Sequence, residues 1–508
     1  MILEKGKNTR KGIFFGFINK IVTLLLPFIV QTITIRTLGM DYVGVKGLFS
    51  SILTVLSLTE LGVGSAIVFS MYKPIAEDDI ETIGAYMNLY RKLYRLIGGV
   101  VALLGIAIAP FVKYLINGDY PREINLSIVF ILYLANTVVS YWMYAYKSSL
   151  LNAYQRTDVI SVIGTVTNAL TSIFQIVFLL LTHNFYLYLI VSIAFTVANN
   201  LIISVCVDRM YPEIDCKGHV QLESLKGMRC SVAGVFIGKI CGISRNSFDS
   251  IFVSVFLGLT QAAMYSNYFY ILFVLNGFMG IVLSSLVAGV GNSIAIETKE
   301  KNFEQMMKID TVYMTVSGWA AICMLCLYQP FMALWVGKDF VFPEYVMILF
   351  PIYFYVGKMG DIRGVYSDAA GLFWENKNRT LIELFANVVL NYVFVVKWGT
   401  FGIVLATILT LLFIGFVGST IVIFKYYYET GMREYIREHA YRLLITTIAA
   451  VCTYCVCTLF ERESQLELFF IRLGICCFLS IFLILLMSWW RKSFREAVRW
   501  VVSIMVRL

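Results

Sequence analysis

Apolar stretches of about 20 residues, the length a helix needs to cross a bilayer, follow one another along almost the whole 508-residue chain. Only short polar breaks part them. Charged residues make up 14 % of the chain, against about 25 % in soluble domains, and hydrophobic residues reach 59 %. This excludes a disordered chain and an ordinary soluble enzyme, and leaves no room for a large soluble domain. Spanning helices are expected at 13–35, 45–69, 93–116, 125–149, 158–182, 186–207, 231–256, 262–290, 311–336, 345–370, 380–397, 400–424, 441–459 and 468–490. They are termed spans 1 to 14. Spans 11 and 12 are parted only by Lys397-Trp398-Gly399. The first, Ile13 to Ile35, is longer than a signal-peptide core and no small-residue cleavage site follows it, so it is expected to be retained.

The even count puts both termini on one side, and basic residues choose the side. With the termini cytoplasmic, 28 Lys and Arg fall inside and 8 outside, leaving five within spans. Span-end bases count with the nearer side. The 11 cysteines all lie in spans or inner segments, away from an oxidising exterior. Cys323-x-x-Cys326 and the group Cys452, Cys455 and Cys457 lie in apolar helices without nearby His. They read as small-residue packing rather than as a metal site. The three His are scattered, so no metal is expected. The outer loops are all short, which counts against an enzyme that builds glycans on the outer face.

The chain repeats itself. Phe17-Ile18-Asn19-Lys20-Ile21 matches Phe236-Ile237-Gly238-Lys239-Ile240, and Leu38-Gly39 falls on Leu257-Gly258, at an offset of 219. Pro110-Phe111 falls on Pro330-Phe331 at 220, while Arg156-Thr157 and Asn168 fall on Arg379-Thr380 and Asn391 at 223. The period spans six helices, an even number, so both copies share one topology. That is a parallel repeat about an axis along the membrane normal, a transporter architecture. The expected fold is all-α and integral to the membrane, with about 14 transmembrane helices: two parallel six-helix lobes around a central cavity plus two extra C-terminal helices. The N-lobe is expected over 1–210 (spans 1–6) and the C-lobe over 211–427 (spans 7–12). Spans 13–14 and an amphipathic cytoplasmic tail are expected over 428–508.

Particular segments then resemble a known family. Arg36-Thr37-Leu38-Gly39-Met40-Asp41-Tyr42-Val43-Gly44 leads into Thr59-Glu60-Leu61-Gly62-Val63-Gly64. Asn246-Ser247-Phe248-Asp249, Phe256-Leu257-Gly258 and Tyr265-Ser266-Asn267-Tyr268 follow later. Together they resemble the polysaccharide-export (oligosaccharide flippase) branch of the multidrug/oligosaccharidyl-lipid/polysaccharide exporter superfamily. The resemblance covers the whole chain through loose motifs that mark the branch better than the substrate. It implies a flippase, not an enzyme, that moves a polyprenyl-diphosphate-linked oligosaccharide from the inner to the outer leaflet of the bacterial cytoplasmic membrane by alternating access, for surface polysaccharide assembly. The usual twelve helices correspond to spans 1–12. Two extra helices also occur in the lipid II flippases.

Nine charges lie within spans: Lys20, Glu60, Lys239, Arg245, Asp249, Lys358, Asp361, Arg363 and Glu383. At about 2.5–3.5 kcal/mol for each charge at a helix centre, nine facing lipid would oppose insertion by roughly 22–32 kcal/mol. A hydrated, charged cavity accounts for them. Lys20 and Lys239 are equivalent in the repeat, and each sits about eight residues from its cytoplasmic start, or ~12 Å. In the resembling fold their helices face the cavity. Two ammonium groups there would hold a diphosphate between them; the alternative is snorkelling to the inner interface.

Arg245, Lys358 and Arg363 complete the candidate substrate-binding set. Arg245 and Asp249, four apart, also suit an intrahelical ion pair. On a helical wheel Lys358, Asp361 and Asp368 share one face and Arg363 points away. Either Arg363 faces the cavity and the others pair among themselves, or the reverse. Glu60, Asp249, Asp361 and Glu383 are the candidates for coupling a proton or a sodium ion. Pro27 and Pro351 are expected to bend their helices. Tyr141, Trp142, Tyr144 and Tyr146 fit an interfacial belt or sugar stacking.

Several other signals exclude function classes. Gly234 to Ile240 lacks the spacing and hydroxyl residue of a phosphate loop, and no nucleotide-binding domain, cofactor or nucleic-acid partner is implied. The basic tail with Phe494, Val498 and Val502 reads as an amphipathic helix on anionic lipid. Two rivals remain in the same superfamily, a cation-coupled drug exporter and a lipid II flippase. Acids and aromatics should dominate a drug exporter's cavity, whereas these spans hold five bases and four acids. A membrane glycan polymerase is disfavoured by the short outer loops and the repeat.

Overall fold

The computed structural model describes residues 5–57, 63–220, 229–460 and 464–505. Among them the chain is all-helical, and it divides into two compact units, Met1–Ser266 and Asn267–Leu508.

Unit 1 contains α1 (Lys5–Leu38), α2 (Met40–Leu56), α3 (Val63–Ala76), α4 (Ile80–Ile108), α5 (Leu126–Trp142), α6 (Ser148–Ala153), α7 (Thr157–Thr182), α8 (Phe185–Met210), α9 (Arg229–Leu257) and the start of α10 (Leu259–Ile296). Its core gathers Tyr42, Phe49, Phe130, Leu151 and Leu179, all nearly sealed from solvent. Lipid is as apolar as Leu, so helices in a bilayer are joined by close packing and polar bridges. Thr167 donates to Asn199 at 3.0 Å, Gln175 to Ser192 at 2.7 Å and Thr196 to Asn136 at 2.8 Å. The helix starts follow local chemistry. Asn125 caps α5 through the amides of Ser127 and Ile128, and Asn184 caps α8 through those of Tyr186 and Leu187, each meeting donors the helix leaves open.

Unit 2 continues with α11 (Lys299–Trp335), α12 (Glu344–Met347), α13 (Leu349–Lys358), α14 (Asp361–Ala369), α15 (Lys377–Leu409), α16 (Ser419–Ile423), α17 (Arg433–Thr458), α18 (Gln465–Ile475), α19 (Ile481–Ser488) and α20 (Lys492–Met505). Within α15, Gly399 takes φ 57°, ψ −137°, a conformation that favours glycine. The chain reverses there, and Asn387 donates to Thr407 at 2.9 Å across the hairpin. Spans 11 and 12 are thus two crossings joined at Lys397-Trp398-Gly399, as expected.

Nine described helices are individually long and apolar enough to cross a bilayer, or ten with the bent pair α5 and α6. Residues 377–428 hold two crossings, parted at the Gly399 reversal. The more polar α9, with Lys239, Arg245 and Asp249, the broken α13–α14, and the helices α2 and α3 fall at further expected spans, so the described residues are consistent with 14 transmembrane helices. Span 10, expected as one helix bent at Pro351, is broken into two helices between Lys358 and Asp361. The tail helix α20 differs too. Phe494 and Ala497 are buried against the protein, and Arg491 stacks on Tyr441 at 3.8 Å. Part of its apolar face therefore meets protein instead of lipid.

Candidate functional site

Two polar constellations stand out, one in each unit. The first is a cavity of about 320 Å³ in unit 1, lined by α1, α2, α7 and α8. Thr23, Lys46, Asn168, Thr171, Ser172, Gln175 and Tyr188 turn polar groups toward it, beside Pro27 of α1. Thr23 and Thr171 bond back to carbonyls of their own helices, which tames hydroxyls in an apolar setting. Lys46 is the cationic member. Its position among span-end bases gave no sign of this role. A second, wider groove on unit 1 is lined by Lys113, Asp119, Arg122, Glu123 and Tyr186.

At the Gly39 end of unit 1 hydrogen bonds join α2 to the start of α10, and α9 to Leu115 and Asn117. Thr260 donates to Asp41 at 2.8 Å, Asn117 Nδ2 to the Phe256 carbonyl at 2.8 Å, and Ser254 to the Leu115 carbonyl at 3.2 Å. A Cβ on Gly44 would lie 2.4 Å from the Leu259 carbonyl oxygen, so α2 and α10 approach there as backbone against side-chain-free backbone.

The second constellation lies in unit 2. Asp310 of α11 is fully buried and faces His439 and Arg442 of α17. His439 Nε2 lies 3.0 Å from Asp310 Oδ2, Arg442 Nη1 donates to the same oxygen, and Arg442 Nη2 donates to Thr311 at 3.0 Å. The His439 ring packs between Phe416 and Tyr435. Arg363 joins from α14: its Nη1 donates to the Phe416 carbonyl at 2.6 Å and to Thr420 at 2.5 Å, and its guanidinium lies 5.3 Å from the Phe416 ring centre. Alongside, Lys358 and Tyr313 both donate to Asp361 Oδ2, at 2.7 and 2.6 Å. Such charges are tolerable in a low dielectric only when paired and hydrogen-bonded.

The expected site residues distribute as follows. Lys20 is carried by α1 and its side chain lies outside the described ones. Glu60 lies outside the described residues altogether. Lys239 is exposed on α9 and Arg245 is half-buried one to two turns later. Asp249, on the same helix, is fully buried and accepts from Tyr265 at 3.3 Å. Lys358 and Asp361 pair with each other. Arg363 is 5 % exposed and bonded within the protein. Glu383 is buried and paired with Arg379. Tyr141 and Tyr146 are buried in the core, and Trp142 donates to the Arg95 carbonyl.

No family model and no curated protein matches the sequence. Solved structures do. The chain is similar to the lipid II flippase MurJ in an inward closed conformation, at 14 % identity and TM-score 0.67 over 94 % of this chain and 99 % of that one. It is similar to a Vibrio cholerae MATE transporter at 15 % identity and TM-score 0.57, over 84 % of this chain and 98 % of that one. A MOP superfamily transporter from Pyrococcus furiosus matches at 12 % identity and TM-score 0.57, over 84 % and 96 %. The chain therefore has the all-helical membrane fold that these MATE transporters and the lipid II flippase share.

Proposed function

We propose that the chain is a flippase that carries a polyprenyl-diphosphate-linked oligosaccharide from the inner to the outer leaflet of the bacterial cytoplasmic membrane, with both termini cytoplasmic. One observation supports this over drug export. Residues 428–508 are about one-sixth of the chain. A likeness covering 94 % of the chain must take in most of them, whereas one covering 84 % need not. The C-terminal helices are thus part of the likeness to a protein whose printed name gives a lipid-linked substrate.

In this reading Lys20, Lys239 and Arg245 hold the diphosphate. Lys358 and Arg363 are bonded within unit 2 and shape it. The glycan rides in water, the prenyl tail trails in lipid, and the seam at Asp41 and Asn117 parts when the site opens outward. Glu60, Asp249, Asp361 and Glu383 are the candidates for ion coupling, and Asp361 and Glu383 each hold a base. No step requires a catalytic residue.

The test uses a strain whose surface glycan depends on this chain. Depletion should stop surface display while the lipid-linked precursor accumulates in the inner leaflet. Unchanged surface glycan together with new sensitivity to a cationic drug would instead support the drug-exporter reading.

A further inference from the structure

We propose that Cys326, Cys457 and Cys476 form a zinc site that ties the C-terminal helices to α11. The three thiols come from three elements: α11, the end of α17, and the π-helical segment between α18 and α19. Their sulfurs all lie within 4.8 Å of one another. Those of Cys457 and Cys476 are 4.0 Å apart, too far for a disulfide at about 2.05 Å. Three sulfurs bound to one zinc at about 2.3 Å lie roughly 3.8–4.0 Å from each other. The sulfurs are therefore already near the spacing the ion requires. Three thiolates would fill three of the four positions of a tetrahedral zinc.

The surroundings suit a structural ion. The three side chains are 1, 0 and 0 % exposed, and Ile322, Ala449 and Ile484 pack around them. Cys476 opens a π-helical segment, Cys476–Ser480, a departure from the α-helix that often marks a functional position. Thiolates select soft ions such as zinc over magnesium or calcium.

A second observation points the same way. Arg472, one turn before Cys476, has a buried Nε with no hydrogen-bond partner among the described residues. Zn²⁺ binding releases one proton from each of the three thiols and leaves a complex of net charge −1. Arg472 brings the cluster to neutrality, which burial in an apolar core demands.

The experiment purifies the full chain without chelators and measures zinc by mass spectrometry. It then replaces zinc with Co²⁺ and records the absorption spectrum. One zinc per chain is expected, together with a thiolate-to-cobalt charge-transfer band and tetrahedral ligand-field bands. The zinc and the bands should vanish in C457A/C476A and persist in C452A, whose cysteine lies outside the cluster. Chelation should lower the melting temperature of the wild type and leave that of C457A/C476A unchanged. If the double variant fails to fold, the wild-type stoichiometry and cobalt spectrum decide alone. Substoichiometric zinc after incubation with Zn²⁺, no cobalt thiolate band, or equal zinc in the double variant would overturn the site.

Discussion

Asp310 and His439 meet at 3.0 Å with both side chains sealed from solvent, and Arg442 closes on the same carboxylate oxygen. This contact joins α11 of the expected C-lobe to α17, the first helix beyond the repeat. Breaking a buried pair by removing one partner costs about 3–5 kcal/mol, because the other charge is left unpaired. Asp310→Asn and Arg442→Met should each lower the melting temperature in detergent sharply. The double variant should recover part of the loss. Strict additivity of the two losses would show that the pair is not coupled.

Arg363 should not tolerate lysine. Its Nη1 donates to both the Phe416 carbonyl and Thr420 while the guanidinium lies 5.3 Å from the Phe416 ring centre, and an ammonium on a side chain of different reach and shape does not keep all three contacts. Charge-assisted hydrogen bonds contribute about 1.5–3 kcal/mol. Arg363→Lys should therefore destabilise by that order, while Arg36→Lys, at an exposed position, changes little. Equal melting temperatures for the two variants would contradict the assignment.

The seam at the Gly39 end holds by specific bonds. Asp41→Ala with Asn117→Ala removes two of them at about 1 kcal/mol each, a shift of roughly thirtyfold in any equilibrium that parts the seam. Val253 is fully buried on α9 one residue from Ser254. A single cysteine placed there should react faster with a membrane-impermeant reagent added outside whole cells once both bonds are gone. An unchanged rate would mean that the seam does not control access.

Topology rests on the basic-residue bias. Single cysteines at Lys217 and Lys301 should be reached only from the cytoplasm, and cysteines at Asp119 and Asp339 only from outside. Labelling of Asp119→Cys from the cytoplasmic side alone would reverse the orientation.

The spans were legible because hydropathy reports lipid exposure residue by residue, and the hairpin at Gly399 because a glycine followed a short polar break. The Asp310 network was not. Asp310 and His439 each lie just outside a span in sequence, far apart along the chain, so no local pattern joins them; only the packing of α11 on α17 does. The wheel left Arg363 open between two faces, because it takes the span as one continuous helix, whereas the break between Lys358 and Asp361 resets the angles. The cysteines show the same limit. Grouping Cys452, Cys455 and Cys457 by sequence hid the partner from span 14, Cys476. Lys46 escaped notice because a span-end base ordinarily reads as an orientation signal.

The most direct test is flipping of a labelled polyprenyl-diphosphate oligosaccharide in liposomes containing the purified chain. Wild type should move the label across the bilayer. Lys20→Ala or Lys239→Ala alone should leave partial activity, since one ammonium still holds the diphosphate, and Lys→Arg at either position should be milder. The double Lys20→Ala/Lys239→Ala variant, reconstituted in equal amount, should be inactive. Wild-type rates in that double variant would contradict the paired-lysine mechanism, and no flipping by the wild type would contradict the proposed substrate itself.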